Sequence, residues 1–335
     1  MVLYFWPGEF AHRSLTMARI RHSYQRSTVC LGLTIAGAAG LFSLRVFSQP
    51  NTNPFWDHTD TGETVHVLPT PASIRSPRET NPTDAAATGR ISVYPASYGS
   101  GNLTNHKGNI ISSAQFYAVY WNSNVANSTG SLGYKNIQNQ ITQFVSNFSG
   151  SPDYTIVQQY TGANGGITSS IPFAGDYVDS QSPKSMIKDS AIRSYLAGLF
   201  QASRLTPKAN ALYGIYFPSG MKVQLSGGLS CSSFCGYHSH FTYNGVQIKY
   251  AVFPYPDCGG CSLSGKSVAD MLTIVSSHEI REAVTDPGDN NVNAWYDASG
   301  YEADDKCAWH NLYQMTGGFW IQPEYSNAHS GCVVP

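Results

Sequence analysis

The 335-residue chain is 41% hydrophobic and 12% charged, and its 20 basic residues are nearly balanced by 21 acidic residues. This length supports one sizeable hydrophobic core or two small ones, and the near-neutral balance gives no reason to expect nucleic acid or an acidic partner. The charged fraction lies well below the usual quarter. Together with 31 glycines and 21 tyrosines, it is typical of secreted proteins.

The N-terminal 48 residues read as an extension followed by a signal peptide. Met17 is the better start, because three arginines after it precede an apolar run over residues 28–44, and cleavage is predicted after Ser48. Arg45, directly behind the apolar run, keeps a single-span anchor as the alternative. In either case the rest of the chain is expected to be exported, and after cleavage no membrane attachment is expected.

Residues 49–90 are rich in Pro, Thr, Asn and Asp and show little periodicity. This composition predicts a disordered linker or propeptide without a stable fold. Residues 91–335 are predicted to form a single domain.

Within that domain, strand and helix patterns alternate. The predicted elements are a strand over 114–121, a helix over 132–148, a strand over 154–161, a helix over 185–205, a strand over 211–217, a hairpin of 237–242 with 246–255, and a helix over 267–286. The order predicts an α/β (α+β) fold with a mixed sheet and a disulfide-stabilised C-terminal region. It resembles the metal-binding half of zincin-type peptidases, in which substrate lies along an edge strand, and the hairpin is placed to supply that edge.

The last predicted helix combines a helical apolar stripe with metal-type chemistry. Ser267 and Asp270 form a capping-box pattern at its start. His278 and Glu282 are four residues apart and share a face, with Glu279 between them. The layout is that of a zinc-peptidase helix in which Glu279 is the catalytic base, except that Glu282 replaces the second His. A bare motif of this kind also occurs on solvated helix faces.

A third metal ligand must come from elsewhere in the chain. The acidic loop, residues 295–309, supplies carboxylates, and Asp305 is the predicted ligand, with Glu302 as the alternate. The histidine favours Zn²⁺, while Ca²⁺ and Mn²⁺ remain alternatives for a set with two carboxylates.

Four further polar residues are expected on this helix or close to it in the fold. His238 and His240 are expected on one strand face, either as exposed edge residues, as further ligands, or as contacts to substrate. Asp286 is expected to bond the turn after the helix, with a hydrogen bond to His278 as the alternative. Arg281 is expected on a solvated face.

Six cysteines lie in the C-terminal part of the chain, and a seventh, Cys30, lies in the leader. With an export signal upstream, three disulfides are expected, in any of fifteen connectivities. The spacing of the first four also fits a zinc knuckle. The six are Cys231, Cys235, Cys258, Cys261, Cys307 and Cys332.

Several motifs in this order carry a family resemblance. The segments SSFCGYHSHF, YAVFPYPDCGGC, SSHEIREAVTDP, AWYD and EADDKCAW, with Cys332 at the end, resemble the phosphate-induced protein or EXORDIUM-like family, particularly its bacterial and fungal members. The likeness runs from about residue 114 to the C-terminus. It implies a secreted or cell-wall-associated protein, in a family whose plant members are associated with growth and which has no settled catalytic activity.

Two functions follow as hypotheses. The first is a secreted zinc-dependent hydrolase, most simply a monomeric peptidase acting on a peptide or cell-wall substrate. The second is a non-catalytic extracellular or cell-wall-associated binding module with a structural or vestigial metal site.

Overall fold

A computed structural model describes residues 53–74 and 91–335. The predicted start at Met17, the signal peptide, its cleavage after Ser48 and the alternative anchor lie outside the described residues. Within the described ranges, no helix combines the length and apolar character that a bilayer crossing requires.

The described residues contain seventeen short strands and five α-helices. The helices are α1 (Ser123–Ala126), α2 (Ile137–Phe148), α3 (Pro152–Thr155), α4 (Asp189–Gln201) and α5 (Val268–Thr285). The strands are β1 (Trp56–His58), β2 (Thr64–Pro69), β3 (Ser92–Tyr94), β4 (Thr104–Asn105), β5 (Gln115–Tyr120), β6 (Phe173–Val178), β7 (Met186–Lys188), β8 (Ala211–Tyr216), β9 (Lys222–Leu225), β10 (Gly228–Leu229), β11 (Phe234–Tyr243), β12 (Val246–Phe253), β13 (Trp295–Tyr296), β14 (Tyr313–Gln314), β15 (Trp320–Ile321), β16 (Glu324–Ser326) and β17 (Gly331–Val334).

A seven-stranded mixed sheet forms the centre of the domain, in the order β1-β2-β11-β12-β8-β5-β6. The pairs from β1 to β12 are antiparallel, and those from β12 to β6 are parallel. Small two- and three-stranded sheets surround it. The mixed α/β class predicted from the sequence is therefore confirmed.

Alternate residues of the central strands pack into two hydrophobic clusters. On β8, Leu212 and Tyr216 belong to the cluster that includes α2 and α5, whereas Tyr213 and Ile215 belong to the cluster that includes α4. Successive side chains of a strand point to opposite faces, so the helices cover both faces of the sheet. Helix α5 contacts β11, β12 and β2 directly.

The prediction of a linker is wrong for residues 53–74. This segment forms β1 and β2, and β2 pairs with β11 in the central sheet. Val65 and Val67 join the core on the α4 side, while Leu68 joins the core on the α5 side. Side chains on both faces of β2 are therefore buried, as in a sheet that is covered on both sides. The compact unit accordingly begins near residue 50 rather than 91.

Three other predicted elements differ from the structure. Residues 154–161 are not a strand: Pro at the first helical position and the Ser151 side chain, which accepts from the Tyr154 N–H, start helix α3, and a 3-10 turn follows. The predicted helix over 185–205 is strand β7 followed by α4. The hairpin β11–β12 lies inside the sheet, not at its edge, because β2 covers β11.

The six C-terminal cysteines form three disulfides, as predicted in preference to a zinc knuckle. The pairs are Cys231–Cys258, Cys235–Cys261 and Cys307–Cys332, with Cα–Cα distances of 5.9, 5.6 and 5.8 Å. Two of them join the start of β11 to the segment before α5. The third ties the acidic loop to β17.

Candidate metal centre

Helix α5 lies between the central sheet and the C-terminal strands, and every residue from Ala269 to Thr285 is buried. The capping box of Ser267 and Asp270 is present, and it fixes where the helix begins. His278, Glu279 and Glu282 are each at most 1% exposed, so their shared face points into the protein.

The predicted solvated position of Arg281 is wrong. Arg281 is 1% exposed, and its guanidinium donates to the Asp304 carboxylate and lies 3.4 Å from Glu324. It also donates to two backbone carbonyls. The physical reason is that helix α5 has no solvated face, so its cation needs buried anionic partners.

Strands β2 and β11 bring two histidines under the helix. His66 and His238 are directly opposed in the antiparallel register, and their ring centroids are 6.0 Å apart. They are 7% and 4% exposed. The exposed edge position, one of the alternatives predicted for His238, is therefore wrong. His66 was missed because its segment was interpreted as a linker, although the alternation over 64–68 could have indicated a strand with His66 on one face.

The acidic loop folds against the end of α5. The Asp305 N–H donates to Glu282 Oε1 at 2.9 Å, and the Glu302 N–H donates to Asp305 Oδ2 at 3.0 Å. The side chains of Glu302 and Asp305 are fully buried. These bonds, with the Cys307–Cys332 disulfide, hold the two loop carboxylates beside the helix.

The three residues predicted as ligands come together. His278 Nε2 lies 3.0 Å from Glu282 Oε2 and 3.7 Å from Asp305 Oδ1. Donor atoms of all three lie within 4.8 Å of one another. Ligand atoms around one divalent cation at about 2.0–2.2 Å are separated by such distances.

Two further groups of donor atoms adjoin this one. His66, Glu302 and Asp305 form one, with His66 Nδ1 3.1 Å from Glu302 Oε2. His238, Glu279 and Glu282 form the other. The groups overlap through Glu282 and Asp305, so they constitute one continuous site. We call it the histidine–carboxylate cluster: His66, His238, His278, Glu279, Glu282, Asp286, Glu302 and Asp305.

His238 lies between the carboxylates of this cluster. Its Nδ1 is 3.3 Å from Glu279 Oε2 and 3.9 Å from Glu282 Oε2, and its Nε2 is 3.8 Å from Glu302 Oε2. Nε2 also faces the backbone carbonyl of Asp286 at 3.3 Å. The imidazole thus has a carboxylate oxygen within 4 Å of each ring nitrogen.

Among the described residues, several buried nitrogen and oxygen atoms of the cluster have no partner in hydrogen-bond geometry. They are both ring nitrogens of His66 and of His278, Oε1 of Glu279, Oδ2 of Asp286, both carboxylate oxygens of Glu302 and Oδ1 of Asp305. Buried polar atoms are normally satisfied, so this concentration is unusual. Neighbouring nitrogen and oxygen atoms of the cluster lie close together without the geometry of a hydrogen bond. Their lone pairs therefore point towards a shared position, as those of metal ligands do.

Burial shifts the protonation of the cluster. It raises the pKa of Glu282 and Glu302 well above the usual range, and neighbouring carboxylates add to both shifts. Burial lowers the pKa of His66 to about 3 and of His278 to about 4. His66 and His278 are therefore neutral at physiological pH, while the buried carboxylates need protons or a cation to balance their charge.

The cationic side chains near the cluster have other partners. Arg281 is bound to Asp304, and Lys306 Nζ lies 2.7 Å from Asp297. Among the described residues, the cluster thus holds five carboxylates without a Lys or Arg partner. The donor set of imidazole nitrogens and carboxylate oxygens fits Zn²⁺ or Mn²⁺ better than Ca²⁺, which prefers oxygen alone.

Asp286 and His240 lie towards the surface of the cluster. Asp286 Oδ1 accepts from the Ala294 N–H at 2.6 Å, so the side chain bonds the turn after α5, as predicted. The alternative bond to His278 is not formed. His240 Nε2 faces Asn291 at 3.3 Å, and His240 shares no donor group with the three histidines.

A small pocket leads from the surface to the cluster. It has a volume of about 50 Å³, and His66, His238 and Asp286 line it. It shares Thr64, His240 and Asn293 with a surface depression of about 510 Å³, whose walls include Trp56 and Tyr296. Water-sized groups can therefore approach the histidines from the depression.

Comparison of the chain with protein-family profiles, with curated proteins and with solved structures finds no match.

Proposed function

We propose that this protein is a secreted metal-dependent hydrolase, most simply a zinc peptidase-like enzyme of the EXORDIUM-like family. The observation that carries the proposal is the convergence of buried imidazole and carboxylate atoms beside Glu279, behind a small pocket that His66, His238 and Asp286 line. Perturbed titratable groups in a cleft are typical of catalytic sites. The three disulfides fit an oxidising, extracellular setting.

His278, Glu282 and Asp305 are the proposed zinc ligands. When bound there, zinc supplies Lewis acidity and lowers the pKa of water towards neutrality. Asp305 is held for this role by the Glu302 N–H, and Glu282 by the Asp305 N–H. Such bonds orient ligands and keep their remaining lone pairs available.

Glu279 is the proposed general base. Its Oε2 lies 3.3 Å from His238 Nδ1, while Oε1 has no partner in hydrogen-bond geometry within residues 53–74 and 91–335. Glu279 can take a proton from the attacking water on Oε1, and His238 can carry a proton between Glu279 and the pocket. The reacting carbonyl of a peptide or cell-wall substrate would enter from the depression beside Trp56 and Tyr296.

A non-catalytic extracellular module is the second candidate, and one observation favours it. His278, Glu282 and Asp305 are at most 1% exposed, and the pocket in front of the cluster holds only about 50 Å³. Structural zinc sites are closed in this way, whereas catalytic sites keep an open position. In that case a cation would stabilise the fold without turning over substrate.

Chelator treatment of the purified secreted protein, combined with Glu279→Gln, tests the proposal. We expect peptide hydrolysis that a chelator abolishes and added Zn²⁺ restores. Glu279→Gln should lower kcat at least 100-fold because it removes the base, while its Zn²⁺ content stays at the wild-type level. Asp176→Asn, at the far edge of the sheet, is the matched carboxylate-to-amide control. Zinc binding without any chelator-sensitive hydrolysis would instead support the structural module.

A further inference from the structure

The histidine–carboxylate cluster contains a second donor set that the single zinc site does not use. His66 and Glu302 lie beside Asp305, and donor atoms of the three come within 4.8 Å of one another. His66 Nδ1 and Glu302 Oε2 are 3.1 Å apart. These residues come from strand β2 and the acidic loop, whereas His278 and Glu282 come from α5.

The atoms of this second set are buried. His66 is 7% exposed and Glu302 is fully buried. Among the described residues, neither ring nitrogen of His66 and neither carboxylate oxygen of Glu302 has a partner in full hydrogen-bond geometry, although His66 Nδ1 and Glu302 Oε2 are close and the Glu302 carboxyl group also interacts with Asp286 and Glu282. Leaving a buried polar atom unpaired is destabilising, and more so for a charged group. Four such atoms in one place indicate that something else binds them.

The charge of the cluster points in the same direction. The histidine–carboxylate cluster contains five buried carboxylates. The nearest Arg and Lys side chains are paired with Asp304 and Asp297 outside it. One divalent cation would leave three uncompensated negative charges if all five ionise, whereas two divalent cations would leave one. Uncompensated buried charge is strongly destabilising.

Asp305 connects the two donor sets. Its Oδ1 faces His278 Nε2 at 3.7 Å, and it belongs to both groups. A carboxylate has lone pairs enough to bind two cations. We propose that the cluster holds two divalent transition-metal ions bridged by Asp305, one bound by His278 and Glu282 and the other by His66 and Glu302. The inference rests on the proposed metal centre and adds its second ion.

The register of β2 is the structural requirement for this second site. His66 is opposed to His238 across the β2–β11 pair, with its neighbours Val65 and Val67 on the other face. A shift by one residue would turn His66 away from the cluster. The hairpin of β1 and β2 therefore supplies a ligand as well as covering β11.

Metal stoichiometry of the full-length secreted protein tests the inference. The metal-free protein is titrated with Zn²⁺ alone, and bound zinc is counted per chain after removal of the excess. We expect two equivalents for the wild type. His66→Ala and Glu302→Gln should each retain one, and His278→Ala should also retain one. His329→Ala, an exposed histidine outside the cluster, should retain two.

Mn²⁺ loading gives a readout that does not depend on counting. Two bridged ions about 3.5–4 Å apart give a magnetically coupled electron paramagnetic resonance spectrum. The wild type should show it, and Glu302→Gln should show an isolated ion. Glu302→Gln is nearly isosteric, so it serves even where His66→Ala does not fold.

The outcomes separate this inference from the proposed hydrolase. A single equivalent that His278→Ala removes and Glu302→Gln leaves would overturn the second site while leaving the zinc hydrolase in place. Two coupled ions in a protein without hydrolytic activity would support the second site and count against the enzyme. No bound metal would overturn both.

Discussion

Helix α5 separates two groups of buried charges that are balanced in different ways. On one side, Arg281 binds Asp304 and Glu324, so the chain supplies its own cation. On the other side, His278 and Glu282 face carboxylates that have no Lys or Arg partner among the residues the structure describes. The first group is a structural ion pair, and the second has the composition of a site for an external cation.

The contrast is sharpest between two consecutive residues. Asp304 and Asp305 are both fully buried, and burial raises the pKa of both carboxyl groups. For Asp304, the Arg281 guanidinium opposes the shift, whereas Glu282 beside Asp305 adds to it. Burial alone therefore does not identify a functional carboxylate. What distinguishes Asp305 from Asp304 is that, in the described part of the chain, Asp305 has no compensating cation.

Removal of the internal cation should have the largest effect. Arg281→Met leaves the buried carboxylates of Asp304 and Glu324 without their cation, which should lower the free energy of unfolding by about 3–5 kcal/mol. Urea denaturation of the metal-free protein, with its disulfides intact, measures this change. Added Zn²⁺ should not restore the loss selectively, because the stranded carboxylates lie outside the histidine–carboxylate cluster.

The matched control is Lys135→Met, which removes an exposed cation. It should change the free energy of unfolding by less than about 0.5 kcal/mol. An Arg281→Met variant as stable as this control would show that Arg281 does not balance the buried charge.

Close packing between β11 and α5 offers the next test. A Cβ on Gly236 would lie 2.5 Å from Val275 Cγ1 and 2.9 Å from Glu279 Oε1. Gly236→Ala should therefore cost about 2 kcal/mol of stability through overpacking. It should also displace Glu279 and lower kcat, which a hydrolysis assay beside urea denaturation detects.

Gly214→Ala separates these two effects. A Cβ at Gly214 would lie 2.5 Å from Phe116 Cζ and 2.9 Å from Phe253 Cε2, away from the cluster. It should cost a similar stability and leave kcat unchanged. Equal kcat for the two variants would contradict the positioning of Glu279 by this contact.

Much of the fold could be predicted from the chain alone. Hydrophobic periodicity predicted α2, α5, β5, β8 and the hairpin, and the capping box at Ser267 marked the start of α5. The segment over 154–161 misled because its residues favour strands, while Ser151 and Pro152 favour a helix start. The position of β2 in the sheet depends on pairing with β11, more than 160 residues away, which local patterns do not encode.

The site was predictable in part for the same reason. The spacing of His278, Glu279 and Glu282 follows from helix geometry, and Asp305 followed from the need for a third ligand. His66 reaches the cluster only through the long-range pairing of β2. The ion pairs of Arg281 could not be predicted for the same reason. Helix α5 is buried on all sides only because the C-terminal strands cover it.

The pH dependence of stability distinguishes metal-free from loaded protein. Burial raises the pKa of Asp286 to about 7 and that of Glu302 well above its usual range, while their unfolded pKa values are near 4. The folded metal-free protein therefore holds more protons than the unfolded chain. Its stability should fall from pH 6.5 to 8, by about 1.4 kcal/mol per pH unit for each proton retained.

His66 and His278 oppose this fall near pH 6.5, because their folded pKa values are lowered to about 3 and about 4, whereas an unfolded histidine is still about half protonated at pH 6.5. Their contribution fades towards pH 8, where the unfolded histidines are neutral as well. A cation displaces the carboxyl protons, so Zn²⁺ affinity should rise with pH and the gap in Tm between loaded and metal-free protein should widen. Calorimetric scans at pH 6.5, 7.25 and 8 measure both curves. Glu302→Gln should flatten the metal-free curve, since it removes one raised carboxyl group. Parallel curves for loaded and metal-free protein would mean that the cation and the protons do not compete for the same carboxylates.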